Sequence, residues 1–156
     1  QNILNYDYLW IRLRVKGGAY GCMSGFGRDG DCYMVSYLDP KLAETNEVYD
    51  KLPDYLEQFD QDERSMDRYV IGAISEMDIP KNPAALGVRG LTAYLSGITR
   101  EQLQKERDEV IDTDAKEIRA LVPYAKAVLS NNCLCVVGNE NKIKENSSLF
   151  TTVRSL

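Results

Sequence analysis

The sequence predicts an α+β fold in which helices pack on a small, incomplete and mostly antiparallel sheet. Aromatic and small residues crowd into Ala19–Phe26 and Cys32–Leu38, and the link Gly27-Arg28-Asp29-Gly30-Asp31 is turn chemistry, so the pair reads as a β-hairpin. Nearly all of the remaining chain repeats its apolar residues at helical spacing. A third short apolar run, Cys133–Val137, brings the count to three strands against about six helices. So few strands leave much amphipathic helix uncovered, and the expectation is that further strands of the same sheet lie outside these 156 residues.

The elements follow in order. Over Ile3–Val15, Leu4, Tyr8, Ile11 and Val15 recur at spacings of four, three and four, which is one helical stripe. Leu9, Trp10 and Leu13 widen it, so this helix is expected to be buried on most sides. Gly17-Gly18 ends it. In the second strand Tyr33, Val35 and Tyr37 point to one face, and Met34, Ser36 and Leu38 to the other. Asp39-Pro40 reads as an N-cap with proline at the first helical position, and the stripe Val48, Leu52, Tyr55, Leu56 and Phe59 follows. Pro53 must kink that helix or delay its start.

Asp60-x-x-Glu63 resembles a capping box before Met66, Val70, Ala73 and Met77. Ile79-Pro80 breaks this helix; Asn82-Pro83 opens the next, with Leu86, Leu91, Tyr94 and Leu95, closed by Gly97. Thr99-x-x-Gln102 and Asp114-x-x-Glu117 are further capping boxes, the second leading into one helix through Ile118, Leu121, Val122, Ala125 and Leu129. Asn131-Asn132 stops it. Residues 139–156 read as a weak helix and a frayed tail. The whole, 1–156, reads as a single domain.

Composition excludes several functions. The 24 acidic and 19 basic residues are interspersed, for a net charge of −5, without the basic patch that a nucleic-acid partner requires. No run approaches the roughly 20 apolar residues of a membrane-spanning helix. There is no histidine, so the usual zinc-hydrolase ligands and any His-dependent triad are absent from this chain. Cys22, Cys32, Cys133 and Cys135 lack Cys-x-x-Cys spacing and read as buried reduced thiols of a reducing compartment rather than a zinc site. Gln1-Asn2-Ile3-Leu4 has no charged n-region and reads as a cut end.

The most informative stretch is Arg14-Val-Lys-Gly-Gly-Ala-Tyr-Gly21, where the first helix gives way to a strand. Glycines at 17, 18, 21, 25 and 27 follow a helix and enter a strand, and no Gly-Lys-Ser/Thr follows, so they read as strand bends or close backbone approaches rather than as a phosphate loop. Arg14 in the last helical turn is explained by the helix dipole alone, and Tyr20 by the strand preference of aromatics. Taken together, a guanidinium and a phenol on one glycine-rich junction form a candidate grip on a peptide backbone, with glycines leaving room for an extended chain. The Glu101, Glu106, Asp108 and Glu109 cluster alternates with Arg100, Lys105 and Arg107 and reads as a solvated face.

The stretches Asn5-Tyr6-Asp7-Tyr8-Leu9-Trp10, Arg14 to Gly21 and Ser36-Tyr37-Leu38-Asp39-Pro40 resemble the C-terminal domain of presequence-protease-like zinc metallopeptidases, a branch of the pitrilysin/insulinase family. Val48-Tyr49-Asp50, Val70-Ile71-Gly72, Tyr94 to Thr99 and Val136-Val137-Gly138 fit as well. The resemblance implies a clamshell enzyme that degrades unstructured oligopeptides in a closed chamber. Its zinc is held in the first domain by an inverted His-x-x-Glu-His motif, which is not in this chain. Implied partners are peptide substrates and the N-terminal catalytic half of the same polypeptide, with no nucleic acid and no membrane.

By the same resemblance Arg14 and Tyr20 reach the substrate: Arg14 holds a carbonyl or carboxylate, Tyr20 supports the tetrahedral intermediate, and Gly17 and Gly18 let the chain turn so that both face the chamber. The isolated chain is expected to be inactive and to hold no zinc. A bacterial cytoplasmic location is implied, or an organelle if a targeting signal precedes these residues. In this family strands precede the first helix, and a basic residue is expected where Leu38 stands. The alternative is a non-catalytic scaffold or peptide-binding domain of the same fold.

Overall fold

The computed structural model describes residues 1–155, so only Leu156, at the end of the expected tail, lies outside the described residues. The fold is α+β: many helices and one two-stranded antiparallel sheet. The chain forms two compact units, Gln1–Phe59 together with the chain from Arg119 onward, and Asp60–Ile118.

In the first unit β1 (Gly21–Phe26) pairs with β2 (Cys32–Tyr37) in a register that sets Gly21 opposite Tyr37, Ser24 opposite Met34 and Gly25 opposite Tyr33. The hairpin is closed by Gly27 N–H donating to Asp31 O at 2.7 Å, and Gly30 takes a φ of 92° that the three-residue loop requires. Gly21 and Gly25 have a different purpose. A Cβ there would lie 2.2 Å from the Tyr37 ring and 2.4 Å from the Tyr33 ring. Each ring folds across the strand and covers its glycine, which recovers the contact area a glycine lacks.

The helix Ile3–Val15 is wound wider than an α-helix, with i→i+5 hydrogen bonds; Lys16 N–H closes on Ile11 O at 3.1 Å. The winding corrects the expected stripe. Its buried residues are Ile3, Leu4, Tyr8, Leu9 and Leu13, so the inward face recurs every four to five residues. Ile11 and Val15, which a 3.6-residue period puts on that face, are exposed, as is Trp10. The helix packs on β1, and the Asn5 side chain meets the strand edge. Asn5 Oδ1 accepts from Ser24 N–H at 2.6 Å and from Ser24 Oγ at 2.8 Å, while its Nδ2 reaches Ser24 O at 3.4 Å.

The core of this unit gathers Leu4, Tyr8, Leu9 and Leu13 with Leu52, Leu56, Phe59 and Val122. Tyr8 is almost wholly buried; its hydroxyl donates to Val48 O at 2.6 Å and its ring packs 4.6 Å from Tyr55. Burial pushes the Tyr55 phenol up to about 12. Proline divides the helices here. Pro53 starts a new helix, Leu52–Glu57, after Leu42–Asp50, as a delayed start requires. Pro123 likewise splits the expected Ile118–Leu129 helix into Ala115–Ala120 and Val122–Ser130. Leu52–Glu57 packs on Val122–Ser130.

Asp39 is not the helix cap expected. The helix after Pro40 begins at Leu42, and Asp39 accepts from Lys41 N–H at 2.9 Å and Thr45 Oγ1 at 2.7 Å in the turn before it. Nor is Cys133–Val137 a strand. Apart from Leu134 N–H, which folds back to Asn132 O, its amides and carbonyls make no backbone hydrogen bond among the described residues. Cys133 and Cys135 are exposed rather than buried, as is Cys32 at the start of β2, and Cys22 is half-buried. The tail contributes the short helix Glu140–Glu145, capped by Asn139.

The second unit is three long helices and the start of a fourth: Glu63–Met77, Pro83–Leu95, Arg100–Ile111 and Ala115–Ala120. Each start is set by a side-chain cap. Asp62, two residues beyond the expected Asp60, accepts from Ser65 N–H at 2.7 Å, so the expected Asp60–Glu63 box does not form. Asn82 caps Ala85 N–H at 2.8 Å with Pro83 behind it. Thr99 and Gln102 make both bonds of a capping box, as do Asp114 and Glu117. Arg107 forks onto the Asp78 carboxylate at 2.6 and 2.8 Å and holds that carboxyl below its usual range.

Candidate aromatic and guanidinium site

The junction between the first helix and β1 is built by two glycines. A Cβ at Gly17 would lie 2.4 Å from Leu13 O, so only glycine passes the helix end that closely. Gly18 takes a φ of 91°, with its N–H donating to Arg14 O at 3.1 Å, and reverses the chain. Ala19 is then buried, its N–H bonded to Leu13 O at 2.9 Å, and Tyr20 N–H meets Leu38 O at 3.3 Å. Tyr20 stands at a bend before β1, not within the strand as expected, and Leu38 at the end of β2 has a φ of 48°.

This geometry brings the two candidate residues together. The Arg14 guanidinium lies 5.4 Å from the centre of the Tyr20 ring and 4.6 Å from that of Trp10. It is held between two aromatic faces, which favour a cation. Tyr20 in turn meets Tyr37 edge-on, ring centres 5.5 Å apart, and Tyr37 rests on Gly21. Four side chains thus form a continuous stack: Trp10, Arg14, Tyr20, Tyr37. Tyr20 is 59% exposed, so its hydroxyl is open to a ligand.

The stack runs into an open sheet face. Met23, Tyr33, Val35 and Tyr37 share the side of the hairpin that carries Gly21 and Gly25, and all four are exposed. The opposite side, with Ser24, turns to the first helix. Beneath the stack, burial raises the Cys22 thiol while the Arg14 charge offsets part of that shift. Trp10 and Tyr37 were not singled out by the sequence reading. Trp10 carries a signal, since it stands four residues before Arg14, one helical turn away.

The glycines of β1 do not leave space for an incoming chain. Tyr37 and Tyr33 fill the positions over Gly21 and Gly25, and Asn5 occupies the outer edge of β1 at Ser24. Among the described residues no group of three or more His, Cys, Asp or Glu side chains is placed to hold a metal ion.

The family model of the PreP C-terminal domain matches residues 1–138. The chain belongs to the PreP C-terminal domain family. Protein HypA of Clostridium perfringens is 47% identical over 156 residues, all of this chain and 16% of that protein. Presequence protease 1, chloroplastic/mitochondrial, of Arabidopsis thaliana is 31% identical over 158 residues, 98% of this chain and 15% of that protein. The mitochondrial presequence protease of Emericella nidulans is 27% identical over 139 residues. The chain therefore spans about one-sixth of the length of the relatives it matches. This is a domain of presequence-protease-like proteins, with relatives both in organelles and in a bacterium. No helix among the described residues is long and apolar enough to cross a membrane.

Proposed function

We propose that this chain is the C-terminal, non-zinc-binding domain of a zinc metalloendopeptidase that degrades unstructured oligopeptides, and that Arg14 and Tyr20 hold the substrate during cleavage. The observation that carries the proposal is the stack in which the Arg14 guanidinium lies 5.4 Å from the ring of the exposed Tyr20 at the helix-to-strand corner, in a domain of this family. Zinc does not fit the residues of this chain, which has no histidine and no metal-holding cluster among its described residues. Zinc is bound by another part of the polypeptide in this reading.

The part played by this chain is physical positioning. The open face of Met23, Tyr33, Val35 and Tyr37 takes apolar side chains of an extended peptide. Arg14, pre-oriented between Trp10 and Tyr20, donates its fork of N–H groups to a peptide carbonyl or terminal carboxylate. The Tyr20 hydroxyl donates a hydrogen bond to the oxygen that becomes negative as the peptide carbonyl turns tetrahedral. Gly17 and Gly18 set the turn that aims both groups from one corner. A bacterial cytoplasmic setting suits the likeness to the Clostridium protein, and an organelle suits the likeness to the presequence proteases.

The test is Tyr20→Phe in the full-length enzyme, assayed on a quenched peptide. Removing one oxyanion donor costs about 3 kcal/mol, so kcat should fall about 10²–10³-fold with KM nearly unchanged. Unchanged turnover would remove Tyr20 from the chemistry and leave a peptide-holding or scaffold domain.

A further inference from the structure

We infer that Asp39 is a positioning residue for Tyr20: its carboxylate locks the turn after β2, and the Leu38 carbonyl in that turn holds the Tyr20 amide. This role builds on the proposed part of Tyr20 in peptide cleavage, and it belongs to a residue that serves the site without touching substrate.

Tyr20 stands just outside the ladder, whose last pair is Gly21 opposite Tyr37. Gly27 N–H donates across the hairpin to Asp31 O, whereas Ser24 N–H turns away from β2 to Asn5 Oδ1. Odd-numbered residues of this strand therefore bond toward β2 and even-numbered ones away from it. An undistorted ladder would point the Tyr20 N–H away as well. It donates instead to Leu38 O at 3.3 Å. The ladder is broken on both sides of this bond, since Tyr20 is at a bend and Leu38 has a φ of 48°. A leucine keeps such left-handed backbone only when its surroundings hold it there. The Leu38 side chain is 76% exposed, so it does not hold the turn itself.

Asp39 supplies the hold. Its Oδ1 accepts from Lys41 N–H at 2.9 Å and its Oδ2 from the Thr45 hydroxyl at 2.7 Å. Thr45 is buried, so the second bond ties the turn to the helix Leu42–Asp50 away from competing water. Pro40 follows, with its Cγ 3.6 Å from where a Cβ on Gly18 would lie, so the same turn backs onto the corner from which Tyr20 departs. Tyr37, on the other side of Leu38, meets the Tyr20 ring edge-on. Tyr20 is thus met by this turn at its amide, at its ring and at the glycine corner behind it. At Cys22, where burial raises the thiol, the Arg14 charge acts downward and the Asp39 charge upward. The carboxylate is therefore within electrostatic reach of the stack, and its charge has to be separated from its bonds.

The full-length enzyme allows that separation. Asp39→Asn keeps an oxygen for Lys41 N–H and offers an N–H to Thr45 Oγ1, so it removes the charge and leaves both bonds; Asp39→Ala removes both bonds. Asp39→Ala should lower kcat at least about tenfold with KM within about threefold, and Asp39→Asn should restore kcat to within about threefold of the parent. In a Tyr20→Phe background, Asp39→Ala should lower kcat by no more than about twofold further. Amide exchange at Tyr20 should be at least about tenfold faster in Asp39→Ala and within about threefold of the parent in Asp39→Asn. Equal kcat losses in the two Asp39 variants would assign the effect to charge and overturn the inference. So would an undiminished loss in the Tyr20→Phe background, which marks a general defect of the fold, or a Tyr20 amide that exchanges at the parental rate in Asp39→Ala. Where Asp39→Ala does not fold, Thr45→Val, similar in shape, deletes one bond and should speed Tyr20 exchange at least about threefold; an unaltered rate overturns the inference. Exchange involves no turnover. If Tyr20→Phe leaves turnover unchanged, the chemistry proposed for Tyr20 fails, while exchange still decides whether Asp39 holds it in place.

Discussion

The two units of this chain are folded by different means. Gln1–Phe59 with the chain from Arg119 onward holds Leu4, Tyr8, Leu9, Leu13, Leu52, Leu56, Phe59 and Val122 as buried residues; Asp60–Ile118 has Met66 as its only buried hydrophobic among the described residues. The second unit instead shows Ile71, Leu86, Val88, Leu91, Tyr94 and Leu95 to solvent. Its helices are started by Asp62, Asn82, Thr99 and Asp114, each bonded within three residues of itself. Burial holds the first unit together, and local capping supports the second. A helix can be specified by its caps, but a site requires side chains from separate elements, and Trp10, Arg14, Tyr20 and Tyr37 meet only in the first unit.

That contrast can be broken by substitution. Leu9→Ala, at 0% exposure, should lower the stability of the first unit by about 2–5 kcal/mol in urea unfolding. Gly21→Ala or Gly25→Ala forces the Tyr37 or Tyr33 ring to move and should cost about 1–3 kcal/mol, with Gly21→Ala also loosening the contact of Tyr37 with Tyr20. Asn82→Ala should cost the second unit about 1 kcal/mol, read as faster amide exchange over Pro83–Leu95. Leu91→Ala, on an exposed position, should change stability by no more than about 0.5 kcal/mol. If Leu91→Ala matched Leu9→Ala, the division between the units would fail.

The same contrast has a pH signature. Tyr55 titrates near 12 in the folded first unit against 10 when unfolded, so the fold keeps its proton longer. Stability is unaffected by this group below pH 10 and falls as pH rises from there toward 12. Tyr55→Phe should remove that part of the alkaline loss, as followed by circular dichroism.

What the sequence made legible follows the same line. Asn82, Thr99–Gln102 and Asp114–Glu117 act through neighbours in the chain, so their patterns could be read directly. The hairpin was legible from its turn, and the Arg14–Tyr20 pairing from the glycines between them. The winding of Ile3–Val15 was not, because Leu9 and Leu13 are buried by contacts with the sheet and helices of the first unit rather than by any local signal. Cys133–Val137 reads as a strand, yet a strand needs a partner edge, and propensity does not supply one. The roles of Gly21 and Gly25 depended on a register that sets them under Tyr37 and Tyr33.

In the proposed function Arg14 and Tyr20 act as one unit from the helix-to-strand corner. A double-mutant cycle of Arg14→Gln and Tyr20→Phe in the full-length enzyme, read in kcat/KM, tests this most directly. The combined loss should fall short of the sum of the single losses by about 0.5–3 kcal/mol. Losses that add, or single variants that turn over peptide like the parent, would contradict it.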